Sequence, residues 1–402
     1  MHVLILGSRE SIPERRGAIE RLTFELASGL VKREFEVTVF TVGEKDKEYI
    51  TEEGIKIYEL CEPIRSPPSY IYPMLAFSKR ARKKYEELKQ KGEKFDIIHS
   101  VFYPNLLGFR TKEPTVVSEH NPYPWKKEFK YIPELSSMRR IRWEADCLIR
   151  KLEATYVFRR CEKIICVSNA QKKWITSSIR CDKGKLEVIY NGVDTNKFHP
   201  IVNTNELRES FALNTEKIIL FVGRKAPHKG LHHLVRILPN IKDARLVVVG
   251  PISTGFAGKG YDPYIQYIMR LIERHSLRDR VIFTGYISEE DLPKYYAMAD
   301  VFAYPSMLES FGLVILEAMA CGTPVVAYNI EPVTEFVEDD EGILVPIGNI
   351  NKLSESIDFL LDHEKIKEKM GVNARKKAEQ FSLEIMCEKY IDVYKKVVGE
   401  AI

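Results

Sequence analysis

The 402-residue chain is too long for one ordinary hydrophobic core and suits two domains. With 45% hydrophobic and 29% charged residues it reads as a soluble globular protein, since no stretch approaches the ~18–20 apolar residues of a transmembrane helix. A net charge of +4 is too small an excess to argue for nucleic acid, and seven scattered cysteines without a Cys-x-x-Cys pair point to a reducing, cytoplasmic setting.

The chain passes straight into an apolar run, 3–6, with no basic lead, so no secretory signal is expected and the run is predicted to be a buried strand. A polar loop, 7–17, follows. Residues 18–32 then carry Leu22, Leu26 and Leu30 at helical spacing, and 37–40 is β-prone again. Strand, loop, helix and strand make a βαβ unit, which implies a parallel sheet. The first loop lacks Gly-x-Gly-x-x-Gly, which counts against a nicotinamide dehydrogenase. Gly17 opens the helix and can set a helix N-terminus near an anion; a glycine needed only for the turn is the alternative.

Further strands are expected at 55–58, 97–99, 115–118, 163–167 and 186–190. A basic helix, 79–91, lies between the first two, and its plainest role is a solvated face. The 115–118 strand delivers Glu119-His120-Asn121 at its carboxyl end, where open α/β sheets bind ligands. His120 is therefore a candidate for contact with a substrate, with edge packing or capping as the alternative. Residues 122–160 interleave aromatics such as Tyr123, Trp125 and Trp143 with ten Lys/Arg and five Asp/Glu. That mixture suits a membrane interface, anionic lipid or a phosphorylated acceptor, or else an ordinary rim loop and surface helix. Ser168 is placed to cap a helix over 170–177.

Residues 201–213 read as linker and helix, and 218–222 opens a second α/β domain. This strand ends in Gly223-Arg224-Lys225-Ala226-Pro227-His228-Lys229-Gly230, before a helix from Leu231. Without Gly-Lys-Ser/Thr it is not a P-loop. Arg224 and Lys229, on a glycine-bounded loop at a strand's carboxyl end, can neutralise a diphosphate. Strands are expected at 245–250 and 281–287, a helix at 289–299, and a helix opened by Glu335 before Gly342. The last helix, 383–398, is amphipathic.

Residues 301–327 carry the strongest signal. A short strand, 301–304, runs into a turn, 305–312, then a helix, 313–320, stopped by Gly322 and Pro324 before a strand at 325–327. The turn delivers Glu309 and the helix carries Glu317 about one turn in. Between them Gly312 lets backbone approach a ligand, and the helix's first N–H groups, from Leu313 on, point outward as an anion site. An anion cradle flanked by two hydroxyl acceptors describes a nucleotide-sugar site. Two solvated glutamates on an amphipathic helix are the alternative.

The string Ser-x-x-Glu-x-Phe-Gly-Leu-x-x-x-Glu-Ala-Met-Ala-x-Gly-x-Pro-Val-Val, with the Gly-Arg-x-x-x-x-Lys-Gly element, resembles the retaining glycosyltransferases of family four (glycosyltransferase group 1). The resemblance covers nearly the whole chain and is strongest over 185–350. It implies an α/β chain of GT-B fold. Two Rossmann-like, doubly wound parallel-sheet domains would face each other across a cleft. An acceptor-side domain, 1–197, would be followed by a nucleotide-sugar domain, 198–380, and a helix, 381–402, returning to the first. It implies Glu309 at the donor sugar, Glu317 on the ribose, and Arg224 and Lys229 on the diphosphate. It places His120 at the active site and Gly17 near the diphosphate, although Arg16 replaces the family's first glycine there. Tyr286 and Ile287 match positions that contact the base, while Phe311, Gly312 and Leu313 line the donor turn.

The expected reaction moves a sugar from a UDP-, GDP- or ADP-sugar to a glycan or lipid-linked acceptor, with retention. No Asp-x-Asp motif stands at a strand end, so no metal is called for, and no cofactor either, the nucleotide-sugar being a substrate. Competing readings are a GT-B sugar-nucleotide epimerase and a non-catalytic sugar-nucleotide-binding protein at the membrane periphery. Nucleic acid is not an expected partner.

Overall fold

Fourteen strands and twelve α-helices are described in the computed structural model, which covers residues 1–7, 17–61, 71–120, 137–201, 203–211, 216–251 and 263–399. The chain forms two units. The first takes the described residues up to 192 together with 383–399, and the second those from 193 to 382.

In the first unit mainly β-branched and apolar runs form β1 (His2–Leu6), β2 (Glu36–Gly43), β4 (Lys56–Cys61), β5 (Ile97–Ser100), β6 (Thr115–Glu119), β7 (Lys163–Cys166) and β8 (Leu186–Val188), and the largely exposed Lys-Glu-Tyr-Ile forms β3 (Lys47–Ile50). Helices α1 (Ala18–Val31), α2 (Ile71–Gln90), α3 (Ser137–Phe158) and α4 (Asn169–Ser178) connect them. The sheet order is β3-β4-β2-β1-β5-β6-β7-β8, parallel except for the β3–β4 hairpin. Leu4, Leu6 and Ile98 of the central strands pack with Phe77, Tyr85 and Phe95 in one core cluster. Ser168 caps α4 as its sequence suggests, its hydroxyl accepting from the Gln171 N–H at 3.0 Å.

The second unit holds α5 (Asn205–Ser210), β9 (Lys217–Val222), α6 (Leu231–Ile237), β10 (Ala244–Val249), α7 (Pro263–Arg274), β11 (Val281–Gly285), α8 (Leu292–Ala297), β12 (Val301–Tyr304), α9 (Leu313–Ala320), β13 (Val325–Tyr328), β14 (Gly342–Val345), α10 (Ile350–Asp362) and α11 (Glu364–Glu379). Its sheet is parallel throughout, in the order β11-β10-β9-β12-β13-β14. The expected helix at Glu335 is not there. Only a single 3-10 turn, Val333–Glu335, forms, because the stretch to Gly342 is short and Phe336 and Val337 are drawn into the core. The edge strand β3 was not expected either. Its Lys-Glu-Tyr-Ile sequence has no buried face to pattern it.

The last helix, α12 (Leu383–Val398), belongs to the first unit. It packs on α1, and its buried tyrosines reach the sheet. Tyr394 Oη is hydrogen-bonded to His99 Nδ1 at 2.6 Å, and Tyr390 Oη to Ser118 Oγ at 2.8 Å. His99 Nε2 meets the same Ser118 hydroxyl at 2.7 Å. So the chain is α/β, with two Rossmann-like parallel sheets and a terminal helix returned to the first. Among the described residues no helix is long and apolar enough to cross a membrane.

Candidate active site

The second sheet reverses its winding between β9 and β12. Ligands of open α/β sheets bind at the carboxyl ends of the strands flanking such a reversal. The loops that leave those two ends are 223–230 and 305–312, the two stretches singled out by sequence.

The loops touch along their backbones. Pro227–Lys229 forms one 3-10 turn, and Gly230 ends it at φ 76°, a conformation that suits glycine. A Cβ at Gly230 would stand 2.0 Å from the Pro305 carbonyl oxygen, so only glycine lets the loops come this close. The Met307 N–H donates to the His228 carbonyl at 2.8 Å, and the Ser306 hydroxyl donates to the Leu308 carbonyl at 3.2 Å. Across this seam Lys229 Nζ donates to Glu309 Oε1 at 2.5 Å, with both side chains largely buried.

Electrostatics follow from that burial. Desolvation works to raise the Glu309 pKa, but the Lys229 ammonium, with the Ser306 hydroxyl, outweighs it and holds the carboxyl below its usual range. Tyr304 lies beneath the pair. Burial first, then the Glu309 charge and hydrogen bond, push its phenol far above its ordinary value. His228 is driven down to about 3 by burial and by the positive charge of Lys229, so it is neutral. The exposed Arg224 acts on the same His228 and Tyr304, which sets its charge beside the Lys229–Glu309 pair.

Gly312 closes the second loop in the left-handed conformation and caps α9. At the start of that helix the Ile315 N–H bonds back to the Gly312 carbonyl at 2.9 Å, while the N–H groups of Leu313 and Val314 have no acceptor within the helix. Glu317 follows in α9, fully buried, and accepts from the Tyr296 hydroxyl at 2.7 Å. The Phe311 side chain turns inward onto Phe336, with ring centroids 4.9 Å apart, so only its backbone remains for a ligand. Tyr286 and Ile287 follow β11 at the same edge of the sheet, Tyr286 with its side chain exposed.

Two candidates lie in the first unit. Gly17 caps α1 in extended conformation. His120 stands just past β6. Its Nδ1 is buried with no hydrogen-bond partner, and burial pushes its pKa down to about 4. Residues 8–16 and 121–136, which include the polar loop and the aromatic opening of 122–160, lie outside the described residues.

Sequence reasoning passed over three polar groups that the structure buries: His99, Tyr296 and Lys225. His99 stood inside a β-prone run and Tyr296 in an amphipathic helix. Lys225 follows Gly-Arg in a basic loop and looks like surface charge. It is in fact fully buried.

A sheet with this reversal, carrying a buried glutamate and a basic loop on its carboxyl edge, is suited to an anionic ligand, and the chain's likeness to known proteins gives the class. Residues 203–377 match the family described as glycosyl transferases group 1, and 19–197 match glycosyltransferase family 4. The chain belongs to this family. It is 30% identical over 389 residues to an uncharacterised glycosyltransferase of Methanocaldococcus jannaschii, covering 92% of each chain. Its fold is shared with sucrose-phosphate synthase of Thermosynechococcus elongatus, at TM-score 0.81 and 19% identity over 99% of each chain. Anabaena HepE, solved in complex with UDP-glucose, matches at TM-score 0.74 and 21% identity over 98% of this chain and 100% of its own.

Proposed function

We propose that this protein is a retaining glycosyltransferase that moves a hexose from a nucleoside-diphosphate sugar to a hydroxyl of a glycan or lipid-linked acceptor. The observation that carries the reading is the Lys229–Glu309 contact, which joins the two motif loops at the sheet's reversal. The UDP-glucose bound by HepE supports a sugar-nucleotide donor.

In this reading the bond from the anomeric carbon to the diphosphate breaks while the acceptor oxygen adds on the same face. The acceptor's proton passes to the departing diphosphate. Arg224, Lys229 and the first N–H groups of α9 receive the charge that builds there. Such preorganised donors need no reorganisation during the reaction. An ammonium has three protons, so Lys229 can keep Glu309 and still reach a phosphate oxygen. Glu309 then faces the sugar, and Glu317, oriented by Tyr296, holds the ribose hydroxyls. By the family resemblance His120, whose buried Nδ1 has no hydrogen-bond partner, is the first unit's candidate for contact with the sugar. No cofactor or metal is called for, because Arg224 and Lys229 supply the positive charge. The protein is read as cytoplasmic. The exposed Leu148, Ile149, Leu152 and Tyr156 of α3, with Arg160 against Tyr156, support a peripheral membrane contact on the acceptor side.

The test is a screen of UDP-, GDP- and ADP-sugars with and without acceptors. Donor turnover should require an acceptor, and Arg224→Ala with Lys229→Ala should lower transfer by at least ~10²–10³-fold. Transfer undiminished in that double variant would remove the diphosphate assignment.

A further inference from the structure

The buried Lys225 lies outside the roles given above. Its side chain runs under the sheet's carboxyl edge, and its ammonium donates to the carbonyls of Gly250 and Pro251, the latter at 3.1 Å. The Phe283 ring lies 5.9 Å from the ammonium. Those carbonyls belong to the end of β10, between the ends of β9 and β11. The three ends are tied edge to edge: the Gly223 N–H donates to the Val249 carbonyl at 3.0 Å, and the Gly250 N–H to the Gly285 carbonyl at 2.8 Å. Gly250 has φ 121°, and a Cβ there would stand 2.5 Å from the Gly223 carbonyl oxygen. Glycines 223, 250 and 285 therefore form a strip of bare backbone that leads from Arg224 toward the exposed Tyr286.

A lysine is a costly way to fill this space. Burial lowers its pKa to about 8, so holding the charge costs free energy that a methionine of similar length would not incur. What the ammonium adds is a fixed direction for two carbonyls. Both point at a buried ammonium, which takes up acceptor capacity that a ligand would otherwise meet.

We infer that Lys225 is a positioning residue for the nucleoside part of the donor: by holding the Gly250 and Pro251 carbonyls it shapes the strip on which the nucleoside rests, and it does not touch the diphosphate. The inference rests on the proposed donor reading and adds a residue to it. It separates the two ends of the donor, with Arg224 and Lys229 serving the phosphates and Lys225 the nucleoside.

The experiment uses the full chain with Lys225→Met and Lys225→Gln. Binding of UDP, or of GDP or ADP if the wild type prefers it, is measured by calorimetry beside inorganic pyrophosphate, and donor KM and kcat are taken separately. Lys225→Met should weaken the nucleotide about tenfold, raise donor KM alike, keep pyrophosphate affinity, and leave kcat within about twofold. Lys225→Gln, which restores two N–H donors, should recover most of the loss. Equal weakening of nucleotide and pyrophosphate, a fall confined to kcat, or no change overturns the inference. If Lys225→Met does not fold, Lys225→Ala, which also removes the donor, is judged by the same loss of nucleotide affinity relative to pyrophosphate, and failure of both to fold also overturns it. A wild type that binds none of the three nucleotides defeats the donor reading instead, which is a different outcome.

Discussion

Replacing Lys229 by methionine removes the ammonium and keeps most of the side chain's bulk. Glu309 is then left buried without its cation, because both partners are largely withdrawn from water. A lone buried carboxylate escapes by taking a proton, and burial already pushes in that direction. Keeping protonated an acid whose ordinary pKa is about 4.3 costs about 4 kcal/mol at pH 7.5 and about 1.5 kcal/mol at pH 5.5. For a unit of this size that corresponds to a fall in Tm of roughly 10 °C at pH 7.5 and about 4 °C at pH 5.5.

The signs run oppositely in the two proteins. In the wild type the Glu309 carboxyl sits below its unfolded value, so its contribution is present at neutral pH and is lost on acidification. In Lys229→Met it sits above, so stability is lost as pH rises, and the gap between the proteins widens toward pH 7.5. Scanning calorimetry at the two pH values reads this directly. Lys229→Met with Glu309→Gln should regain most of the loss and show no widening, a coupling of several kcal/mol. A Lys229→Met protein melting within 2 °C of wild type at pH 7.5, or a loss that does not shrink at pH 5.5, would refute the buried-pair argument.

Two further outcomes are expected. Gly230→Ala must move the Pro305 backbone as well as adopt a left-handed φ, and should cost at least ~2 kcal/mol and abolish donor binding, as chemical denaturation and calorimetry would show. His99 is held near 3 by burial, with His120 adding to the effect, so below its unfolded pKa of 6.5 the unfolded chain takes up a proton that the folded chain refuses. Stability of the first unit should fall by about 2 kcal/mol from this residue alone between pH 6.5 and 5, and His99→Gln should remove that slope from pH-dependent melting.

Much of this architecture was legible because its signals are local. The strands at 218–222, 301–304 and 325–327 are continuous apolar runs, as parallel strands buried on both faces must be. The turn of 305–312 announced itself through Pro305 and Gly312, and Ser168 through its cap. Arg224 and Lys229 were found because their spacing between glycines is a pattern. What escaped depends on tertiary placement. Lys225 is chemically indistinguishable from its exposed neighbour Arg224 until the fold puts one inside and the other out. His99 is one residue in a strand, and only the arrival of Tyr394 from nearly three hundred residues away makes it polar core. That Lys229 already holds Glu309 is likewise invisible in two motifs eighty positions apart.

The return of α12 bears on how the molecule is made. Residues 193–382 emerge from the ribosome in one piece and can finish folding as they appear, whereas the first-made sheet waits for Tyr390 and Tyr394 to seat on Ser118 and His99. A premature stop after Ser382 would therefore injure the oldest part of the nascent polypeptide rather than trim a tail. Expressing residues 1–192 alone would yield a sheet with two empty tyrosine seats, and supplying the α12 peptide in trans should mend it.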